Sequence, residues 1–191
     1  MQANKRKTKV SRSQIFGCLL LAVAVGFSIL LGLFVEDGLP VAYEDTVLTY
    51  AEAYDVPPAL IFSVIQTESH FDKDAVSSAG AKGLMQMTPE TFSWLQTKTG
   101  ESLPEDALFE PSVSIRYGTF FLSLLLEEFP VRDTAIAAYN AGLNAVARWL
   151  ENPEYSDDGA HLKNIPYSET AYYVVKVNRS LESYSELYDS E

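Results

Sequence analysis

Two patterns of apolar residues divide the chain. The first is an unbroken run: residues 15–35 carry no charge, and Ser28 is the only clearly polar side chain among these 21. As a helix this run extends roughly 31 Å, enough to cross a bilayer. The second pattern begins near Tyr43, where apolar residues recur every three to four positions, the spacing of a helix with one buried face. It predicts helices over residues 43–54, 57–70, 89–98, 111–129, 133–139, 144–151 and 168–188, with strand-like alternation nearly absent. The expected fold class is all-α, behind one N-terminal transmembrane helix. Pro57, Pro89 and Pro111 fit helix starts, and Thr88 before Pro89 can accept a hydrogen bond from a free backbone amide. Residues 71–82 and 152–166, rich in Gly, Ser, Asp and Pro, read as loops, where binding groups concentrate on a rigid scaffold.

Charge turns the apolar run into an orientation. Lys5, Arg6, Lys7, Lys9 and Arg12 precede it and no acid occurs before Glu36, so the first 35 residues carry +5. The remainder holds nine basic and 26 acidic residues, a formal charge of -17. Cationic residues flanking a membrane helix stay in the cytoplasm, which places the body on the extracytoplasmic side. A cleaved signal peptide is the competing reading, but its apolar region is normally about 7 to 15 residues and ends in small residues at a cleavage site. Here a longer run is followed by Glu36-Asp37-Gly38-Leu39-Pro40. The expected organisation is a cytoplasmic basic tail (1–14), a single-pass signal anchor (15–35), a connector (36–42) and one domain (43–191).

Composition removes several function classes. A body of -17 is a poor partner for nucleic acid, whose phosphates need a basic surface. One cysteine excludes an intramolecular disulfide, and two histidines form no convincing metal cluster, so no metal or cofactor is expected. Cys18 lies at the start of the apolar run, whereas a lipoprotein's acylated cysteine would follow it; it reads as membrane-buried packing.

One carboxylate falls on the wrong face. Glu68 is seven residues after Ile61, four after Val64 and three after Ile65, which places it on the apolar stripe of the helix over 57–70. Burial disfavours its charged form, and the negative end of the helix dipole acts in the same sense, so both raise its pKa. A carboxylic acid protonated near neutral pH can give a proton to a leaving oxygen, the requirement for cleaving a glycosidic bond. The alternative is that Glu68 ends the helix and turns to solvent.

Four blocks lend weight to the first reading. Glu68-Ser69 is followed by Ser77-Ser78-Ala79-Gly80-Ala81-Lys82-Gly83-Leu84-Met85-Gln86-Met87-Thr88-Pro89, then by Ala138-Tyr139-Asn140-Ala141-Gly142, then by Ile165-Pro166-Tyr167-Ser168-Glu169-Thr170-Ala171-Tyr172-Tyr173-Val174. In this order they closely resemble the soluble lytic transglycosylase (SLT) domain, the goose-type-lysozyme-like enzymes of glycoside hydrolase family 23, over most of residues 43–184. The resemblance implies a helical lysozyme-like fold and cleavage of the β-1,4 bond between N-acetylmuramic acid and N-acetylglucosamine in peptidoglycan glycan strands. It implies that Glu68 is the catalytic acid, that the sugar's acetamido group stabilises the developing cation, and that the same carboxylate then deprotonates the muramic C6 hydroxyl. That hydroxyl closes a 1,6-anhydro ring in place of water.

The resemblance also implies substrate-binding roles for Ser77, Gln86, Tyr139, Asn140, Glu169 and Tyr173. Four of them have a plainer reading as well. Ser77 can be a turn-forming serine, Tyr139 and Asn140 a buried tyrosine and a helix C-cap, and Glu169 an acid favoured in a first helical turn. Gln86 can donate and accept, as sugar hydroxyl and acetamido groups require. Met85 and Met87 suit packing, and Trp94, Trp149 and the stretch 120–126 suit the core. Asp72 and Asp74 read as a solvated turn, which leaves Glu68 without a second acid. Two further functions stay open on sequence alone: a muramidase that hydrolyses the same bond with water, and a non-catalytic wall-binding subunit of an envelope complex.

Overall fold

A computed structural model describes residues 39–188. The tail, the anchor and residues 36–38 of the connector lie outside the described residues, as do 189–191. Among the described residues no helix is long and apolar enough to cross a membrane.

Seven α-helices and one 3-10 turn follow in order: α1 Glu44–Tyr54, α2 Pro58–Glu68, α3 Pro89–Thr99, the 3-10 turn Glu105–Phe109, α4 Pro111–Glu128, α5 Arg132–Ala141, α6 Leu143–Leu150 and α7 Ser168–Tyr188. Among the described residues the only extended pairings are isolated bridges, Val76 with Lys82 and Lys82 with Met87. The helical expectation holds with small boundary shifts. α2 stops at Glu68 with Ser69 as its cap, because His70 and Phe71 take left-handed φ values of 52° and 64° and turn the chain away. α5 runs past Tyr139 to Ala141, and Gly142 at φ 89° ends it and opens α6, a bend that favours glycine. At α3 the Thr88 hydroxyl oxygen accepts the Thr91 N–H at 3.2 Å, as its position before Pro89 predicts.

The core lies where α2 crosses α7, with α5 packed beside α7 and α4 on its other side. Residues 59–65 of α2 are all buried, so this helix is enclosed on nearly every side and its end emerges from the interior. Phe62 stacks on Tyr184 and Tyr188 of α7 at ring separations of 5.3 and 5.1 Å. The same stretch of α7 holds the entry of the chain: the Tyr184 hydroxyl donates to the Pro40 carbonyl and the Tyr188 hydroxyl to Glu44, both at 2.7 Å.

Candidate active site

Glu68, the last residue of α2, sits half-buried above the fully buried Ile61, Val64 and Ile65. The Tyr173 hydroxyl of α7 donates to Glu68 Oε1 at 2.7 Å. Burial dominates its titration and lifts the carboxyl from 4.5 to about 7, while the Tyr173 hydrogen bond and the positive charge of Lys176 pull it down. Lys176 is three residues beyond Tyr173, on the same face of α7, and its ammonium lies over the Tyr172 ring, 5.3 Å from the centroid. Tyr139 of α5 completes the cluster; its hydroxyl donates to the Met85 carbonyl at 2.9 Å. Burial pushes the phenols of Tyr139 and Tyr173 well above their ordinary value, and the charge of Glu68 adds to both shifts.

The wall beside this cluster is the loop over 71–88, whose shape is set by close contacts with α4 and the 3-10 turn. A Cβ on Gly83 would lie 2.0 Å from the Leu108 carbonyl oxygen, and one on Gly118 would lie 2.3 Å from Met85 Sδ. Ser114 accepts the Met85 N–H at 3.2 Å, and the Ser69 hydroxyl donates to the Leu84 carbonyl at 2.8 Å, so the end of α2 is fastened directly to this loop. Gln86 takes a left-handed φ of 46°, and its Nε2 donates to the carbonyls of Ala75 at 3.1 Å and Gly83 at 2.9 Å. Both amide hydrogens are therefore committed inside the loop. Of the donating and accepting capacity expected of Gln86, the Nε2 hydrogens are used within the loop and Oε1 is left as an acceptor. Ser77 is exposed, donates its N–H to the Ala81 carbonyl at 3.0 Å and accepts the Ala81 N–H on its hydroxyl at 3.0 Å, the geometry of a turn serine.

Asn140 is exposed one residue beyond Tyr139, and its Oδ1 accepts the buried Thr170 hydroxyl at 2.7 Å. Glu169 stands exposed in the first turn of α7, four residues before Tyr173. Of the residues singled out from the sequence, Glu68 and Tyr173 are hydrogen-bonded, Tyr139 lies within electrostatic reach of both, and Asn140 is held to Thr170 of α7. Ser77 and Glu169 remain at the exposed margin. Asp72 and Asp74 form the solvated turn expected of them: Asp74 pairs with Lys73, and its N–H donates to Asp72. Among the described residues no group of three His, Cys, Asp or Glu is arranged to hold a metal ion.

A cavity of about 540 Å³ adjoins the cluster between α3 and α6, lined by Glu90, Trp94, Phe121, Gly142, Asn144 and Arg148 among others. Phe121 belongs to this cavity and packs on Tyr139 with ring centroids 5.3 Å apart, so one side chain separates the two. Trp94, expected in the core, is 41% exposed. The signal was present in α3, where Phe92 and Leu95 define the buried stripe and Trp94 falls off it. Lys176 was also missed, though its spacing from Tyr173 puts it on the site's face.

These elements agree with a family-level match: residues 45–161 fit the model described as the transglycosylase SLT domain. The chain belongs to this family. The SLT domain is 34% identical over 148 residues to the soluble lytic murein transglycosylase of Salmonella typhimurium, covering 74% of this chain and 23% of that protein. It is 31% identical over 165 residues to the membrane-bound lytic murein transglycosylase C of Glaesserella parasuis, with 74% of this chain and 45% of that protein covered. Among solved structures, an inactive mutant of the lytic transglycosylase Slt from Pseudomonas aeruginosa superposes with a TM-score of 0.71 at 32% identity, over 80% of this chain and 25% of that one. A 70-kDa soluble lytic transglycosylase in complex with bulgecin A gives 0.69 at 28% identity, over 78% of this chain and 25% of that one. The chain thus spans about a quarter of the soluble relatives' length and under half of the membrane-bound one's.

Proposed function

We propose that this SLT domain protein is a membrane-anchored lytic transglycosylase that cleaves the muramic acid to N-acetylglucosamine β-1,4 bond of peptidoglycan and leaves 1,6-anhydro-muramic ends. The observation that carries the reading is the carboxyl of Glu68, whose pKa is lifted by burial at the end of a buried helix to about 7, so that a substantial fraction keeps its proton near neutral pH. Because Tyr173 donates to Oε1, the acid proton rides on Oε2, the oxygen left to face a substrate. Transfer of that proton to the glycosidic oxygen lets the C1–O4 bond break while the substrate's acetamido oxygen closes on C1. The carboxylate so formed is stabilised by the Tyr173 hydroxyl and the Lys176 charge. It then takes the proton of the C6 hydroxyl as O6 bonds to C1 and displaces the acetamido oxygen, which returns Glu68 to its starting state.

The charge environment supports a mechanism with one protein carboxylate. Among the described residues the charged side chain that shifts Glu68 is the cation Lys176. A hydrolase that uses a pair of carboxylates sets both beside the scissile bond. In the proposed reaction Tyr139 and Asn140 line the reacting sugar's site, with Ser77, the Gln86 acceptor and Glu169 at its margins.

The anchor is part of the proposal: residues 15–35 hold the enzyme in the cytoplasmic membrane with the SLT domain outside the cytoplasm. Residues 36–39 alone separate that run from Pro40, which Tyr184 fastens to α7, so the enzyme works on wall near the membrane. Lengthening the connector is expected to move cleavage outward when cut sites are mapped by depth. The chemistry is tested by mass spectrometry of digested walls. Anhydro-muramic ends are expected, and reducing ends alone would assign the chain to hydrolysis. Glu68→Gln should abolish both products while retaining the fold; full activity in that variant would remove Glu68 from the reaction.

A further inference from the structure

Tyr172 has no part in the bond-breaking step, and packing into the core does not account for it. Its neighbour Tyr173 is enclosed and donates to Glu68, whereas Tyr172 stands 67% exposed on α7. What the Tyr172 ring does meet is a cation: the Lys176 ammonium lies 5.3 Å from its centroid, one helical turn further on. The same ammonium favours the charged form of Glu68, so it serves an aromatic face and a carboxyl at once. Yet Lys176 closes no ion pair with Glu68 or with any other described carboxylate. An ammonium on a flexible four-carbon stem is drawn onto a nearby desolvated carboxylate unless another contact holds it. The Tyr172 ring is that contact.

We infer, resting on the proposed reaction, that Tyr172 is a positioning residue: its ring holds the Lys176 ammonium near enough to steady the Glu68 carboxylate and too far away to pair with it. A closed pair would keep the carboxyl ionised and leave it without the proton that the leaving oxygen needs. The other titratable groups around Glu68 leave this part to Lys176. Tyr139 of α5 and Tyr173 of α7 are phenols whose burial keeps them neutral. His70 is exposed beyond the end of α2, at a left-handed φ of 52°. In the loop over 71–88, Lys73 pairs with Asp74, Asp72 accepts the Asp74 N–H, and Lys82 pairs with Glu105 and Asp106. On α7 itself, Glu169 and Arg179 are exposed.

The test uses the full chain in detergent with isotope-labelled glutamate carboxyls, so that NMR follows the titration of Glu68 directly, its signal identified by its loss in Glu68→Gln. In Tyr172→Leu the freed ammonium follows the ionised carboxyl, and an exposed cation–π contact is strong enough to move the titration down by about half a pH unit. Tyr172→Phe keeps the ring and should titrate with the unsubstituted protein. Lys176→Met should titrate higher, and adding Tyr172→Leu to it should change nothing more. An unmoved or upward titration in Tyr172→Leu, or a downward shift that persists without Lys176, overturns the positioning role. The alkaline limb of the pH–rate profile on cell walls is measured in the same variants. A limb that moves with the NMR titration supports both the role and the reaction. A limb that stays fixed while the NMR titration moves overturns the part of Glu68 in the reaction and leaves the hold of Tyr172 on Lys176 standing. A fall in kcat/KM with neither moving makes the ring a substrate contact and overturns the proposal.

Discussion

Replacing Glu68 with Gln converts the buried acid into a permanent neutral analogue, and the consequence for stability is worked from its titration. In the folded protein the carboxyl titrates at about 7 against 4.5 in its ordinary state. Between those values the native state holds a proton that the unfolded chain has released, so stability falls as pH rises through this window and levels off above it. The rise from 4.5 to about 7, at about 1.4 kcal/mol per pH unit, amounts to about 3 kcal/mol. The Gln variant escapes that loss and keeps an acceptor for the Tyr173 hydroxyl. Its stability relative to the unsubstituted protein should be near zero at pH 4.5 and grow to about 3 kcal/mol in its favour by pH 8. Urea unfolding followed by tryptophan fluorescence reports the correct unit, since both tryptophans, Trp94 and Trp149, lie in the SLT domain. All other carboxylates are common to the two proteins and cancel in the difference. A difference that stays flat from pH 4.5 to 8, or a variant that is less stable at pH 8, would refute the claim that burial holds this acid neutral.

Other perturbations probe different links of the same argument. Tyr173→Phe removes a hydrogen bond to the charged form, so the alkaline limb of the pH–rate profile, expected near 7, should move upward even as the maximal rate falls; a downward move would reverse the assigned sign. Gly83→Ala combines a φ of 76° with a Cβ only 2.0 Å from the Leu108 carbonyl, and should cost more than about 2 kcal/mol in urea midpoint analysis. Thr170→Val leaves Asn140 without its buried donor and should cost about 1 kcal/mol of stability with a larger loss of wall lysis, measured as turbidity decrease of cell walls.

How far the site was legible depends on whether its causes are local. Helix periodicity, the prolines at helix starts and the Thr88 cap are local, and each lies within a residue or two of where the sequence puts it. Glu68 was legible for the same reason, because its neighbours at three, four and seven residues define the stripe it interrupts. What holds the Gln86 amide is non-local, a left-handed backbone and the carbonyls of Ala75 and Gly83, which nothing in the spacing of the motif reveals. Trp94 and Arg148 were passed over because a cavity is a property of two helices that meet, and neither helix alone announces it. Tyr173 was found through resemblance, while the Lys176 next to it in space required the helix to be built.

The siting of Glu68 also bears on how one carboxyl would serve twice in the proposed reaction. A group that must first release a proton to the leaving oxygen and then reclaim one from the C6 hydroxyl works best with a pKa near the ambient pH, where neither transfer is steeply uphill. An exposed glutamate holds its proton too weakly, and an acid buried without partners holds it too tightly. Here full enclosure of residues 59–65 lifts the acid, while one phenol at 2.7 Å and one ammonium held over Tyr172 restrain the rise, leaving it at about 7. A second carboxylate alongside would raise it further by repulsion and spoil that balance. Distance from other acids is therefore a condition for the double duty proposed for Glu68, and among the described residues the charged side chain that shifts it is the cation Lys176.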